Sequence, residues 1–158
     1  MRFGLSVGNW QKTFFVSTFF FLALGVYLAD LSHAGTLGRF LWYSGPGLLT
    51  LGLMQAMGGS APAKIGGMVV SAVYLVLFYL WLHSQPNPEA LTWFWYVCSY
   101  PGVWMAAAVV CWCDRRRAET ANWHFIRSLM FEFFGLLANV GILFAIFMLK
   151  AGCGLVCL

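Results

Sequence analysis

Glu132 is the one acidic residue set well inside an apolar run, Leu129-Met130-Phe131-Glu132-Phe133-Phe134. A carboxyl at that depth is costly unless paired, protonated or wet, so the chemistry it offers is proton or cation exchange. Asn139 follows seven residues later on the same helical face. Gly135, Ala138, Gly141 and Ala145 keep the adjoining surface small, and Ala138 and Gly141 in particular offer a face on which another helix can pack. Glu132 also lies about one turn inside the basic boundary, in reach of Arg127 or of the Arg115, Arg116 and Arg117 cluster. A structural ion pair or hydrogen bond is therefore expected of it, with a proton or cation site as the alternative.

The other reactive residues support less. Cys111 and Cys113 are too close for an easy disulfide, and no matching His or Cys pair completes a zinc site. Cys153 and Cys157 flank Gly154 near the C-terminus, where an oxidising compartment would join them in a small ring. Cys98 reads as a small buried residue. His33, His83 and His124 fall on both sides of the expected membrane and make no common metal site. The chain has no phosphate-binding glycine loop, no histidine-plus-carboxylate motif and no serine or threonine nucleophile beside a base. A non-enzymatic protein without cofactor or metal is expected.

Five apolar runs must position these residues: Thr13 to Ala29, Phe40 to Met57, Ile65 to Leu82, Leu91 to Trp112 and Leu129 to Leu149. Each is long enough, or nearly so, to cross a hydrocarbon core. With 61% hydrophobic and 9% charged residues, the chain has too little polar surface for a water-soluble globule. The expected fold is an all-α integral membrane protein, one compact bundle of about five transmembrane helices filling residues 1–158 with no separate soluble domain. Four spans would remain if the first were a cleaved signal. Ser32 and Ala34 before Gly35 would suit a signal peptidase, but the apolar run is longer than most signal cores, which favours a retained helix.

The basic residues set the expected threading. With a cytoplasmic N-terminus, Arg2, Lys12, Lys64, Arg115, Arg116, Arg117 and Arg127 face inward and only Arg39 and Lys150 face outward, seven against two. That is the positive-inside bias, and it places the C-terminus outside. Arg115, Arg116 and Arg117 become an anchor on anionic lipid. The net charge of +4 is then a topological signal and not a nucleic-acid footprint. The compact bundle and the charge bias point to a bacterial inner membrane.

Local signals refine the runs. Ser44-Gly45-Pro46-Gly47 predicts a kink in the second, and Gly58 to Pro62 a tight turn closed by Lys64. Ala63, Gly67 and Ser71, four apart, give the third a close-packing face. Ser84 to Glu89 reads as an external loop flanked by Trp81, Trp93, Trp95 and Tyr96, an aromatic rim at the outer interface or a recognition surface. Pro101 and Gly102 predict a kink in the fourth run. Asp114 to Ser128 is the longest connection, and its second half suits a short amphipathic helix in the interface.

The expected role is protein-protein interaction, as an accessory subunit of a membrane complex or as an immunity or exclusion factor against a membrane-acting toxin. The partners expected are membrane lipid and another membrane or secreted protein, with a homo-oligomer also open. The alternative is a small transporter or channel with a path past Glu132 and Asn139. A weaker alternative is thiol-disulfide exchange at Cys153 and Cys157.

Overall fold

A computed structural model of the protein describes residues 7–30, 36–84, 90–116 and 120–156. The described residues form six helices: α1 (Val7–Asp30), α2 (Thr36–Ala56), α3 (Ala61–Ser84), α4 (Ala90–Cys98), α5 (Tyr100–Arg116) and α6 (Ala121–Val156). Four stretches are long and apolar enough to cross a membrane: Asn9–Ala29, Ala61–Ser84, Phe94–Arg116 and Ala121–Leu149. Large apolar side chains such as Phe19, Leu77, Met105 and Phe144 point outward from the bundle. Water could not cover such a surface but lipid can, and the chain is an integral membrane helical bundle.

The expected second span is the one that falls short of those four. α2 forms as a helix of 21 residues, but Ser44, Gly45, Pro46 and Gly47 dilute its apolar character. It runs unbroken through Pro46, and side chains reach two carbonyls beside the proline. Tyr96 donates to the Tyr43 carbonyl at 2.9 Å, and Thr50 Oγ1 donates to the Pro46 carbonyl at 2.9 Å. The end of α2 is closed by Gly58 at φ +66°, whose N–H bonds Gln55 while the Gly59 N–H bonds Met54. This is the glycine-terminated helix end that satisfies the last carbonyls. Ser60 then caps α3 through Oγ to the Ala63 N–H, and Pro62 sits in the first turn where its missing donor does no harm.

The fourth run is divided as Pro101 suggests. α4 ends at Cys98 and α5 begins at Tyr100, with Ser99 N–H shared between the Trp95 and Tyr96 carbonyls. Asn139 of α6 donates to the Cys98 carbonyl at 2.6 Å and so serves the backbone at the break. The expected connection from Asp114 to Ser128 is much shorter. α6 already begins at Ala121, after Thr120 accepts the Trp123 and His124 N–H groups. No separate interfacial helix forms, because the turns holding His124 and Arg127 continue into the span.

α3 is the hub, packed on α1, α2 and α6, and α6 closes the bundle against α5. The central core gathers Leu28, Tyr43, Leu75, Phe78, Tyr96, Tyr100, Val103 and Leu136. α5 and α6 meet at Gly102 and Gly135, where a Cβ on Gly102 would run into the Gly135 carbonyl oxygen and lie 2.7 Å from the Asn139 Cβ. Gly102→Val is expected to cost about 1–3 kcal/mol through overpacking. Thermal unfolding in detergent checks this, with Gly141→Val as the control: a Cβ on Gly141 meets nothing within 4 Å, so that variant should unfold like the wild type.

Candidate functional site

Glu132 is fully buried, and the reason lies on the facing helix. Gly67 of α3 has no side chain, and a Cβ placed there would be 2.7 and 2.8 Å from the two carboxyl oxygens. The carboxyl therefore lies flat against the α3 backbone. Its described hydrogen-bond partner is Ser128, one turn earlier on α6.

The state of the carboxyl follows from counting protons. Ser128 Oγ is 2.7 Å from the Ala63 carbonyl oxygen and 2.8 Å from Glu132 Oε1. One hydroxyl has one proton to donate. Ser128 can give it to either acceptor; both contacts are hydrogen bonds at once when it goes to Ala63 and Glu132 carries a proton and donates it to Ser128 Oγ. Glu132 Oε2 is then a neutral carbonyl oxygen, and it has no partner among the described residues. An ionised carboxylate in that position would face the Ala63 carbonyl across a single shared donor, with its second oxygen unserved.

The expected ion pair of Glu132 with Arg127 or the arginine cluster does not form among the described residues. Arg127 pairs with Asp114, and His124 Nδ1 lies 2.6 Å from the same Asp114 oxygen. Arg115 donates to the Met57 carbonyl, and Arg116 lies over the Trp112 ring at 4.2 Å. Arg115 and Arg116 are exposed at the end of the bundle, where an anchor would be, and Arg117 lies outside the described residues. The acidic partner that His124 and Arg127 find is Asp114, which sequence reasoning passed over as the start of a loop. Its signal was the spacing of ten and thirteen residues to His124 and Arg127, a contact made only once α5 and α6 pack side by side.

Above Glu132 the interior carries further hydroxyls. Ser71, one turn beyond Gly67, and Ser44 on α2 are buried; Ser71 faces the Tyr100 hydroxyl, and the Ser44 hydroxyl has no hydrogen-bond partner among the described residues. Tyr96 donates to the Tyr43 carbonyl, so the 3.1 Å contact between the Tyr96 and Tyr100 hydroxyls is filled by the Tyr100 proton. Ser99 and Tyr74 make a second pair at 2.7 Å beside it. Buried polar atoms without partners are uncommon and call for a reason.

The remaining candidates are dispersed. Asn139 points to Cys98 on α4 and away from the Glu132 contact with α3, so the structure does not bring the two together. Tyr96 belongs to the core, not to an outer rim; its ring stacks on Tyr74 and packs on Phe78. Trp81 and Trp95 are exposed, as a rim requires, while the Trp93 side chain lies outside the described residues. Gly67 and Ser71 do form a packing face. Ala138 and Gly141 are exposed, and the close helix approach falls at Gly135; farther along α6, Phe147 still packs edge-on against Trp95 of α4. The Cys153 side chain and Cys157 lie outside the described residues. Cys98, Cys111 and Cys113 are free thiols.

Comparison with family models, with curated proteins and with solved structures finds no match for this chain.

The proton count makes a spectroscopic prediction. The infrared spectrum of the protein in lipid should contain a protonated-carboxyl C=O band at neutral pH that disappears in Glu132→Gln. A difference spectrum showing a carboxylate band instead would mean that Glu132 is ionised and that Ser128 serves it alone.

Proposed function

We propose that the protein is a small, non-enzymatic membrane transporter that moves protons or couples their movement to a solute, with Glu132 as the group that takes up and releases the proton. The supporting observation is the Ser128 contact, in which both hydrogen bonds are made together when the fully buried carboxyl carries a proton; its other oxygen has no partner among the described residues. A group that served packing alone would be replaced at little cost by an apolar side chain. One retained in hydrocarbon with a transferable proton is suited to a relay. The hydroxyls of Ser71, Tyr100 and Tyr96 supply a polar seam leading away from it toward α2. In this reading α2 is the fifth span, its 21 residues reaching about 31 Å. The basic end, with Arg115, Arg116 and Lys64, faces the cytoplasm, and the membrane is a bacterial inner membrane.

A second reading rests on a different observation. α6 is 36 residues long, about 54 Å, and beyond Asn139 its Ile142, Phe144, Phe147 and Leu149 side chains are exposed. That half suits contact with another membrane protein, as an accessory subunit or an immunity or exclusion factor would make. A photo-crosslinking residue at Phe144 in native membranes should then give a discrete protein adduct. Adducts to lipid alone would remove this reading.

For the transport reading, vesicles containing the purified protein and an internal pH dye should acidify under an imposed inward-negative potential. Glu132→Gln keeps a donor for Ser128 and should fold with an unchanged unfolding temperature, yet acidify no faster than empty vesicles. Equal acidification by wild type and variant would overturn the assignment of Glu132.

A further inference from the structure

Resting on the proton reading of Glu132, we infer that Ser60, Asp114, His124 and Arg127 form an inner gate that closes the basic end of the bundle over that carboxyl. The cluster binds together four helix ends. Asp114, in the last turn of α5, accepts from Ser60 Oγ at 2.7 Å and from the Ser60 N–H at 3.3 Å, at the start of α3. Its other oxygen takes Arg127 and His124, from the first two turns of α6. Next to Asp114, Arg115 donates to the carbonyl that follows the end of α2. The ends of α2, α3, α5 and α6 therefore converge on two consecutive residues.

What lies beneath this cluster makes it a gate and not merely a brace. Directly behind Ser60, Gly59 packs on Cys111, and a Cβ at Gly59 would stand 2.8 Å from its sulfur. Cys111, Ala63, Ala107, Val110 and Met54 form a dry apolar layer with little or no exposure. The Ala63 carbonyl at the inner edge of that layer is the acceptor of Ser128, whose partner is Glu132. The Asp114 cluster thus clamps α3 and α6 at Ser60 and Arg127, about one turn toward the basic end from the contact of Ala63, Ser128 and Glu132, with the apolar layer beside both. In this proposal water from that side reaches Glu132 when α3 and α6 part at this end, and the charge-assisted contacts that oppose parting are those of Asp114.

The gate also differs in kind from the rest of the packing. It is built of charge-assisted hydrogen bonds that break and re-form without repacking a core. The plug behind it consists of small and flexible side chains, Ala, Val, Cys and Met, with no aromatic ring to lock it. The aromatic cluster of Tyr74, Phe78, Tyr96 and Tyr100 lies farther along the bundle and would act as the fixed end.

Cys111 provides a native reporter. With Cys98, Cys113, Cys153 and Cys157 changed to Ser, the protein in nanodiscs should react slowly with a charged, membrane-impermeant maleimide. Asp114→Asn should raise that rate on the order of ten-fold, the scale one charge-assisted hydrogen bond sets on an opening equilibrium. Ser60→Ala, which leaves the Arg127 pair intact and is less of a threat to folding, should raise it by a smaller factor. Unchanged reactivity in both folded variants overturns the gate, whatever Glu132 does. Faster reactivity with no Glu132-dependent acidification in the same preparation would keep the gate and dismiss the proton reading, so the two failures are separable.

Discussion

Inside hydrocarbon every polar atom needs a protein partner, and the interior of this bundle is arranged by that shortage. Ser128 Oγ shows it most sharply: with one proton and two oxygen neighbours, it satisfies both only when Glu132 carries a proton of its own. The same economy appears at the carbonyls of α2 and α4. Pro46 removes a donor, and Tyr96 and Thr50 reach the carbonyls around it; Pro101 ends one helix, and Asn139 crosses from α6 to the exposed Cys98 carbonyl. Lipid could not have supplied any of these bonds. The break at the α4–α5 join is therefore served by a side chain from another helix, and helix packing and helix shape are one problem.

Glycine is what lets the partners come near enough. At Gly67 the missing side chain makes room for a carboxyl, and at Gly102 and Gly135 it lets two backbones touch. These positions act oppositely in energetic terms. The Gly102–Gly135 contact gains dispersion along a whole seam. The Gly67 vacancy instead admits a polar group whose burial opposes folding unless it stays neutral and hydrogen-bonded. Packing alone would have put a small apolar residue at 132. The structure keeps the carboxyl and leaves one of its oxygens unserved, which is the kind of local inconsistency that functional positions carry.

The class of fold and the unusual status of Glu132 were legible in the sequence because both depend on local composition: long apolar runs, and one acid within them. The breaks at Pro101 and the turn at Gly58 were legible for the same reason, since proline and glycine act on their own backbone. What could not be read was who meets whom. Asp114 looked like the edge of a loop, and Tyr96 like a member of an interfacial belt, because an aromatic near a membrane edge and an aromatic in a core have identical neighbours in sequence. Only the hydroxyl of Tyr96, turned inward to the Tyr43 carbonyl of α2, separates the two cases. Arg127 was misassigned by the same blindness. Five residues from Glu132 it is a natural partner by distance along the helix, but a five-residue step turns it away to a different face, where Asp114 of α5 is waiting.

α6 draws these points together because its two halves obey different rules. From His124 to Asn139 it spends its polar residues inward, on Asp114, Ala63, Gly67 and Cys98, and it contacts α3 and α5 along that length. Beyond Asn139 the described side chains through Leu149 are apolar or small and largely exposed. A helix that was merely structural would distribute its contacts along the part in the membrane. Here the inner half holds every polar interaction of the candidate site, while the outer half holds none that would restrain it. Release of the Asp114 contacts would free the first turns of α6 from α3, while the Gly102–Gly135 contact and the Asn139 bond hold the helix farther along. The aromatic core about Tyr96 and Tyr100, which takes in Phe78 of α3 and Leu136 of α6, lies farther along the bundle and gives that motion something fixed to work against.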